Sequence, residues 1–140
     1  MRKRTLSREL ALQILYQIDI TRDDYTKSLE DFWQANTGED LVEEVKEFTC
    51  ELVKGVRDNL KFIDEKIAKY ATNWELERMA VVDRNVLRLA GYELLFREDI
   101  PPKVSINEGV DLAKKYSGLS AGKFVNGILD KIKLERKDNK

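Results

Sequence analysis

Asp83-Arg84-Asn85-Val86-Leu87-Arg88-Leu89-Ala90-Gly91-Tyr92-Glu93-Leu94-Leu95-Phe96-Arg97 is the stretch that decides the fold. It is apolar on nearly every side, through Val86, Leu87, Leu89, Ala90, Leu94, Leu95 and Phe96. A helix with so little polar face belongs at the centre of a bundle or beneath a partner. Asp83 stands where an N-cap would, and Ile100-Pro101-Pro102 stops the run. The i, i+4 pairing of Glu93 with Arg97 predicts an ion pair on this helix.

Downstream, Ser105-Ile106-Asn107-Glu108 fits a capping box that opens a helix to about Ser117. Gly118 suits its C-terminal cap. Ser120 caps a last helix, with Phe124, Val125, Ile128, Leu129 and Ile132 inward. Upstream, Thr72 and Glu75 form another capping box, followed by a short helix to about Ala80. Before it, helices are predicted at about 60–70, 40–57 and 26–35. The first runs from Leu6 to about Ile20, with Leu6, Leu10, Ile14 and Ile18 every four residues. The prediction is an all-α fold of about seven helices, two packed three-helix bundles with no strand. The chain reads as a single domain, 1–140, whose helical halves, about 1–72 and 73–140, share a core.

Composition agrees. Of 140 residues, 42% are hydrophobic, enough to bury a core, and only two are prolines. The 25 basic and 26 acidic residues nearly cancel, so overall charge does not point to nucleic acid. Their distribution says more. Arg2, Lys3, Arg4 and Arg8 open the chain without an acid, whereas Glu39, Asp40, Glu43, Glu44, Glu47 and Glu51 face a single Lys46. The C-terminus is basic again, through Lys131, Lys133, Arg136, Lys137 and Lys140. Cys50 is the only cysteine, excludes an internal disulfide, and reads as a small buried hydrophobe. With no apolar run of about 20 residues and no signal-peptide h-region, the expected location is the cytoplasm, with no membrane contact.

Histidine is absent, which removes imidazole acid–base chemistry and, with one cysteine, ordinary zinc sites. No carboxylate pair stands apart from a solvated helix face. The expectation is therefore no enzyme, no catalytic residue, no metal and no cofactor. Gly118-Leu119-Ser120-Ala121-Gly122-Lys123 misses the P-loop spacing by one residue, and Phe124 stands where that loop needs Ser or Thr. The same stretch has another reading. Lys123 in the first turn of a helix opposes the macrodipole, and an anion would relieve the conflict using free N–H groups and the Ser120 hydroxyl. Phe124 either offers a ring for a base to stack on or packs in the core, and spacing alone leaves both open. The basic N-terminus is either a second anion signal or a solvated tail. Tyr16 and Trp33 read as packing residues rather than base platforms.

Taken together, these residues resemble the NusB family. The resemblance rests on 83–90 with Tyr92-Glu93-Leu94, then Ile100 to Glu108, Leu112-Ala113-Lys114, and Lys123-Phe124-Val125-Asn126-Gly127-Ile128-Leu129-Asp130. Arg8-Glu9-Leu10-Ala11 and Leu15-Tyr16-Gln17 extend it to the start of the chain. The resemblance implies a transcription antitermination factor that binds the boxA element of ribosomal RNA leaders. It implies a heterodimer with a small-subunit ribosomal protein, called NusE in this role, that joins RNA polymerase with NusA and NusG. The alternative is a helical RNA-binding module in ribosomal RNA processing, without antitermination. Carried over by position, Arg2, Lys3, Arg4, Arg8, Lys114, Ser120, Lys123, Phe124 and Asn126 are the RNA-binding candidates. Tyr16, Asp83, Arg84 and Leu87 are the partner-binding candidates.

Overall fold

A computed structural model describes residues 2–136. Among them there is no strand. Seven helices follow in order: α1 (Lys3–Thr21), α2 (Tyr25–Ala35), α3 (Glu43–Asp58), α4 (Leu60–Tyr70), α5 (Val81–Phe96), α6 (Pro102–Ser117) and α7 (Leu119–Ile132). Short 3-10 turns occupy Leu76–Arg78 and Lys133–Glu135. The all-α expectation holds, and α5 sits where its apolar circumference demands, packed on α1, α3, α4, α6 and α7.

Side-chain periodicity accounts for the core. Ala11, Ile14, Leu15 and Ile18 of α1 meet Val45, Leu52, Val53 and Val56 of α3, all essentially inaccessible. Val86, Leu87, Leu89 and Leu94 of α5 continue the same core to Val125, Leu129 and Ile132 of α7. α4 packs on α5 and α7 more than on α3, so the two halves do not separate cleanly at residue 72.

Helix starts depart from the sequence reading in a consistent way. Neither capping box forms. The Thr72–Glu75 segment is a turn before a single 3-10 turn, and α6 starts earlier, at Pro102, where proline's fixed φ suits the first helical position. Ser105 is thereby buried inside α6, and its hydroxyl donates to Glu93 Oε1 at 2.7 Å instead of capping. α5 begins at Val81 with Ala80 as cap, which moves Asp83 into the first turn, where its charge still favours the helix dipole. α7 begins at Leu119, with Gly118 at φ 106 serving both the end of α6 and the start of α7. Ser120 is therefore no N-cap. Lys123 lies just beyond the first turn, which weakens its conflict with the dipole.

The turn that follows α7 is strapped down. Arg136 donates to the carbonyl oxygen of Leu94 at 3.1 Å, covering the last turn of α5. Glu135 accepts from Lys66 at 2.7 Å, Lys69 at 2.9 Å and the Tyr70 hydroxyl at 2.5 Å. Hydrogen bonds from these three hold its pKa down at about 2. A carboxylate depressed in the folded state stabilises above its ordinary 4.5 and loses that contribution as pH falls towards 2. Wild type should therefore lose melting temperature more steeply than Glu135→Gln across that window. Parallel curves for the two proteins would refute the strap's electrostatic role. Lys137 and Lys140, part of the basic C-terminal run, lie outside the described residues.

Candidate RNA and partner interface

The α6–α7 turn gathers most of the RNA-binding candidates. A Cβ on Gly122 would meet Lys114 Cγ at 2.7 Å, so the bare glycine lets the Lys114 stem lie across the start of α7. Ser120, Lys123 and Asn126 are all exposed beside it. The first amide bond back into the helix runs from Gly122 to the Gly118 carbonyl, leaving the preceding N–H groups without intrahelical acceptors. Lysines 114 and 123, a serine hydroxyl and free amides suit phosphate.

Phe124 is half-buried, between the two readings its spacing allowed. Its ring meets Trp74 edge-on, centroids 5.8 Å apart at 74°. Trp74 is 56% exposed. The sequence reading used only its neighbours Thr72 and Glu75, for a capping box, and missed the ring itself. The available signal was a tryptophan in a polar segment with no apolar periodicity to bury it. Trp74 and Phe124 form one wall of an open groove of about 420 Å³, which Arg78, Asp83, Ser117 and Ser120 also line.

Asp83 is the odd member of this groove. Its Oδ1 is buried and has no hydrogen-bond partner. An unsatisfied buried acceptor costs about 1–3 kcal/mol. Thus one partner-binding candidate and the RNA-binding candidates Ser120 and Phe124 share a single depression. Tyr16, also assigned to the partner, is 39% exposed, and one turn further along α1 Ile20 is 59% exposed. Arg84 is mostly committed inside the protein, through its Nε donor to Asp19 at 2.9 Å and Nη1 to the Leu76 carbonyl at 3.0 Å. Leu87 is fully buried and must be reassigned from the partner surface to the core, because it lies on the inward side of α5.

The basic N-terminus is not part of this groove. Contacts advance in the same direction along α1 and α6: the Thr5 hydroxyl donates to Glu108, and Lys115 and the Tyr116 hydroxyl donate to Glu9. Arg2, Lys3 and Arg4 therefore lie towards the Pro102 end of α6, away from Lys114 and Ser120. Lys3 donates to Glu44 at 2.9 Å, and the Arg4 guanidinium sits 4.2 Å from the Phe48 ring centroid. Both remain exposed, as does Arg2.

Arg8 is different. It is 3% exposed and donates through Nε and Nη2 to both oxygens of Glu93, at 2.8 and 2.9 Å, and through Nη1 to Glu108 at 3.1 Å. Burial opposes its charge, but Glu93 and Glu108 more than offset that and raise its pKa. Arg8 is thus a buried tie between α1, α5 and α6 and not an accessible RNA contact. Glu93 correspondingly pairs with Arg8, not Arg97; Arg97 turns to Asp99 and Glu51.

The remaining singled-out residues stay structural. Trp33 packs edge-on against Phe32 at 5.3 Å. Cys50 is partly buried, and burial pushes its thiol pKa up, away from a reactive thiolate. Among the described residues no group of His, Cys, Asp or Glu could hold a metal ion, and no helix is long and apolar enough to cross a membrane.

Comparison with known proteins gives a consistent result. The NusB family model matches residues 5–133. The transcription antitermination protein NusB of Anaeromyxobacter sp. (strain Fw109-5) is 52% identical over 130 residues, covering 93% of this chain and 89% of that protein. Among solved structures, NusB of T. maritima superposes with a TM-score of 0.85 at 41% identity, covering 97% of this chain and 93% of that one. A chain from a crystal structure of the antitermination factors NusB and NusE in complex with double-stranded RNA superposes with a TM-score of 0.79 at 31% identity. That match covers 95% of this chain and 97% of that one.

Proposed function

Because this chain belongs to the NusB family, we propose that it is a transcription antitermination factor, not an enzyme, that binds boxA RNA together with the ribosomal protein NusE. The complex joins RNA polymerase with NusA and NusG in the cytoplasm. The observation that carries this reading is the groove between α5 and α7. There Asp83 lines the same depression as Ser120 and the Trp74–Phe124 ring pair. A site that takes RNA on α7 and a protein at the start of α5 places the two ligands in contact, so each can strengthen the other. Tyr16 and Ile20 extend the protein side, and Lys114, Lys123 and Asn126 the RNA side. Arg2, Lys3 and Arg4 supply a second, separate phosphate contact, and Arg84 holds the start of α5 in place.

Phe124→Ala tests the stacking role. The ring is only half-buried, so the change should cost about 1–3 kcal/mol of RNA binding, with a smaller stability loss than the about 3–5 kcal/mol of a core phenylalanine. Lys123→Ala should flatten the salt dependence of binding by roughly one phosphate's worth. RNA titration beside thermal melting separates the roles. A Phe124→Ala protein that melts far lower yet binds RNA normally while folded would show the ring to be core. An unaltered salt slope in Lys123→Ala would remove the phosphate contact.

A further inference from the structure

Three depressions meet at Trp74, and their charges differ. The groove on its α5 side, described above, holds both Arg78 and Asp83. A second, formed by residues 68–77, carries Glu75 and Glu77 and no basic residue. The third is an open groove of about 310 Å³ between the 70–74 turn and α7. Trp74, Phe124, Lys123, Gly127 and Lys131 line it, and no carboxylate does. Both lysines are exposed, and neither makes a hydrogen bond or ion pair with a described residue. Tyr70, also on this groove, gives its hydroxyl to Glu135, a carboxylate that Lys66 and Lys69 already neutralise.

Spacing along α7 sets the floor of this groove. Lys123, Gly127 and Lys131 recur every four residues on one side of the helix, so the two lysine stems leave it about 12 Å apart with the glycine midway. Gly127 has ordinary helical backbone, and a Cβ added to it would meet nothing within 4 Å. Neither packing nor backbone geometry asks for glycine there, although glycine weakens a helix interior. Its effect is a clear floor between two unpaired cations. The wall is Trp74, 56% exposed and held edge-on against Phe124.

We propose that this groove is a nucleotide subsite in which an unpaired RNA base stacks on Trp74 while the sugar–phosphate backbone crosses Gly127 between Lys123 and Lys131. Two cations without a carboxylate suit the phosphates of a strand, and the indole ring suits the face of any base. Only an unpaired base can reach such a ring, so the ligand is single-stranded. The subsite rests on the reading that α7 takes RNA, and it adds Trp74, Gly127 and Lys131 to that surface.

Titration of the full chain with single-stranded boxA RNA, beside thermal melting, tests the subsite. Trp74→Leu should weaken binding by about 5- to 150-fold, the worth of one stacked base, and Trp74→Phe should restore most of it. Lys131→Gln should reduce the salt slope by about one phosphate. Gly127→Leu should melt no lower than wild type yet bind RNA several-fold more weakly, because its side chain fills the floor. A glycine with a merely structural role would not separate the two readouts. Trp33→Phe leaves Trp74 as the only tryptophan, and RNA should quench its emission. Wild-type affinity in both Gly127→Leu and Trp74→Leu overturns the subsite; weaker binding by Lys123→Ala in the same series would leave RNA on α7 standing. Unaltered RNA binding with lost NusE binding would overturn it too, and give the groove to the protein partner. A wild type that binds no RNA overturns the subsite together with the reading beneath it.

Discussion

Arg8→Ala should lower stability by about 3–5 kcal/mol, because it leaves Glu93 as a buried carboxylate without its counter-charge. Glu93 is 1% exposed and is held by both branches of the Arg8 guanidinium and by Ser105. Glu108 loses a donor as well, though Thr5 still reaches it at 2.6 Å. Urea unfolding gives the number. Removing Arg8 and Glu93 together should cost less than the sum of the single changes, since the double variant buries no lone charge. A loss of under about 1 kcal/mol for Arg8→Ala, the size expected of an exposed basic residue, would contradict the buried tie.

Asp19→Ala should cost a similar amount, about 3–5 kcal/mol, by leaving Arg84 and Arg88 without their shared acceptor. One oxygen of Asp19 takes three donors, and its side chain is only 8% exposed. Burial alone would raise its pKa, but the bond from Asn85 and the charges of Arg88 and Arg84 outweigh burial and lower it. The Asp19 contribution is accordingly present above the ordinary carboxylate range and disappears as pH falls through the lowered folded value. The wild-type advantage over Asp19→Ala should thus shrink in acid. A constant difference between the two proteins across that range would argue against the ionic origin of the loss. This network also fixes the first turns of α5, so Asp19→Ala should disturb the Asp83 side of the groove before the α7 side.

The apolar periodicity of α5 and of its neighbours made the helix count and the buried stripes legible. α4 was readable to the residue, because Leu60 to Tyr70 combines Ile63 and Ile67 with polar flanks and an asparagine stop on its N-terminal side. Helix starts were harder. Ser–x–x–Glu at 105–108 has the form of a capping box, yet Pro101-Pro102 can begin a helix as well as end one, and Ser105 and Glu108 were needed inside for Glu93, Thr5 and Arg8. The basic run at the N-terminus hid a second distinction. Arg8 shares its face of α1 with Ala11, Leu15 and Ile18, all buried, whereas Arg4, a turn earlier on that face, lies past the packed stripe and stays exposed like Arg2 and Lys3. Charge alone grouped Arg8 with the tail, while helical phase places it in the core. Leu87 failed likewise, since a helix apolar all round gives no outward face for a partner to use. Trp74 and the unpaired oxygen of Asp83 depend on how the 71–80 connection folds over α7, a long-range arrangement that no local pattern encodes.

The proposed function places RNA and the ribosomal partner together on one surface of this protein. The direct measurement is the affinity of the chain for boxA RNA at fixed salt, by fluorescence anisotropy, with and without saturating NusE. Adjoining sites predict a coupling of about 1–3 kcal/mol, so RNA should bind between about 5- and 150-fold more tightly when NusE is present. Equal affinity in the two titrations would contradict the account.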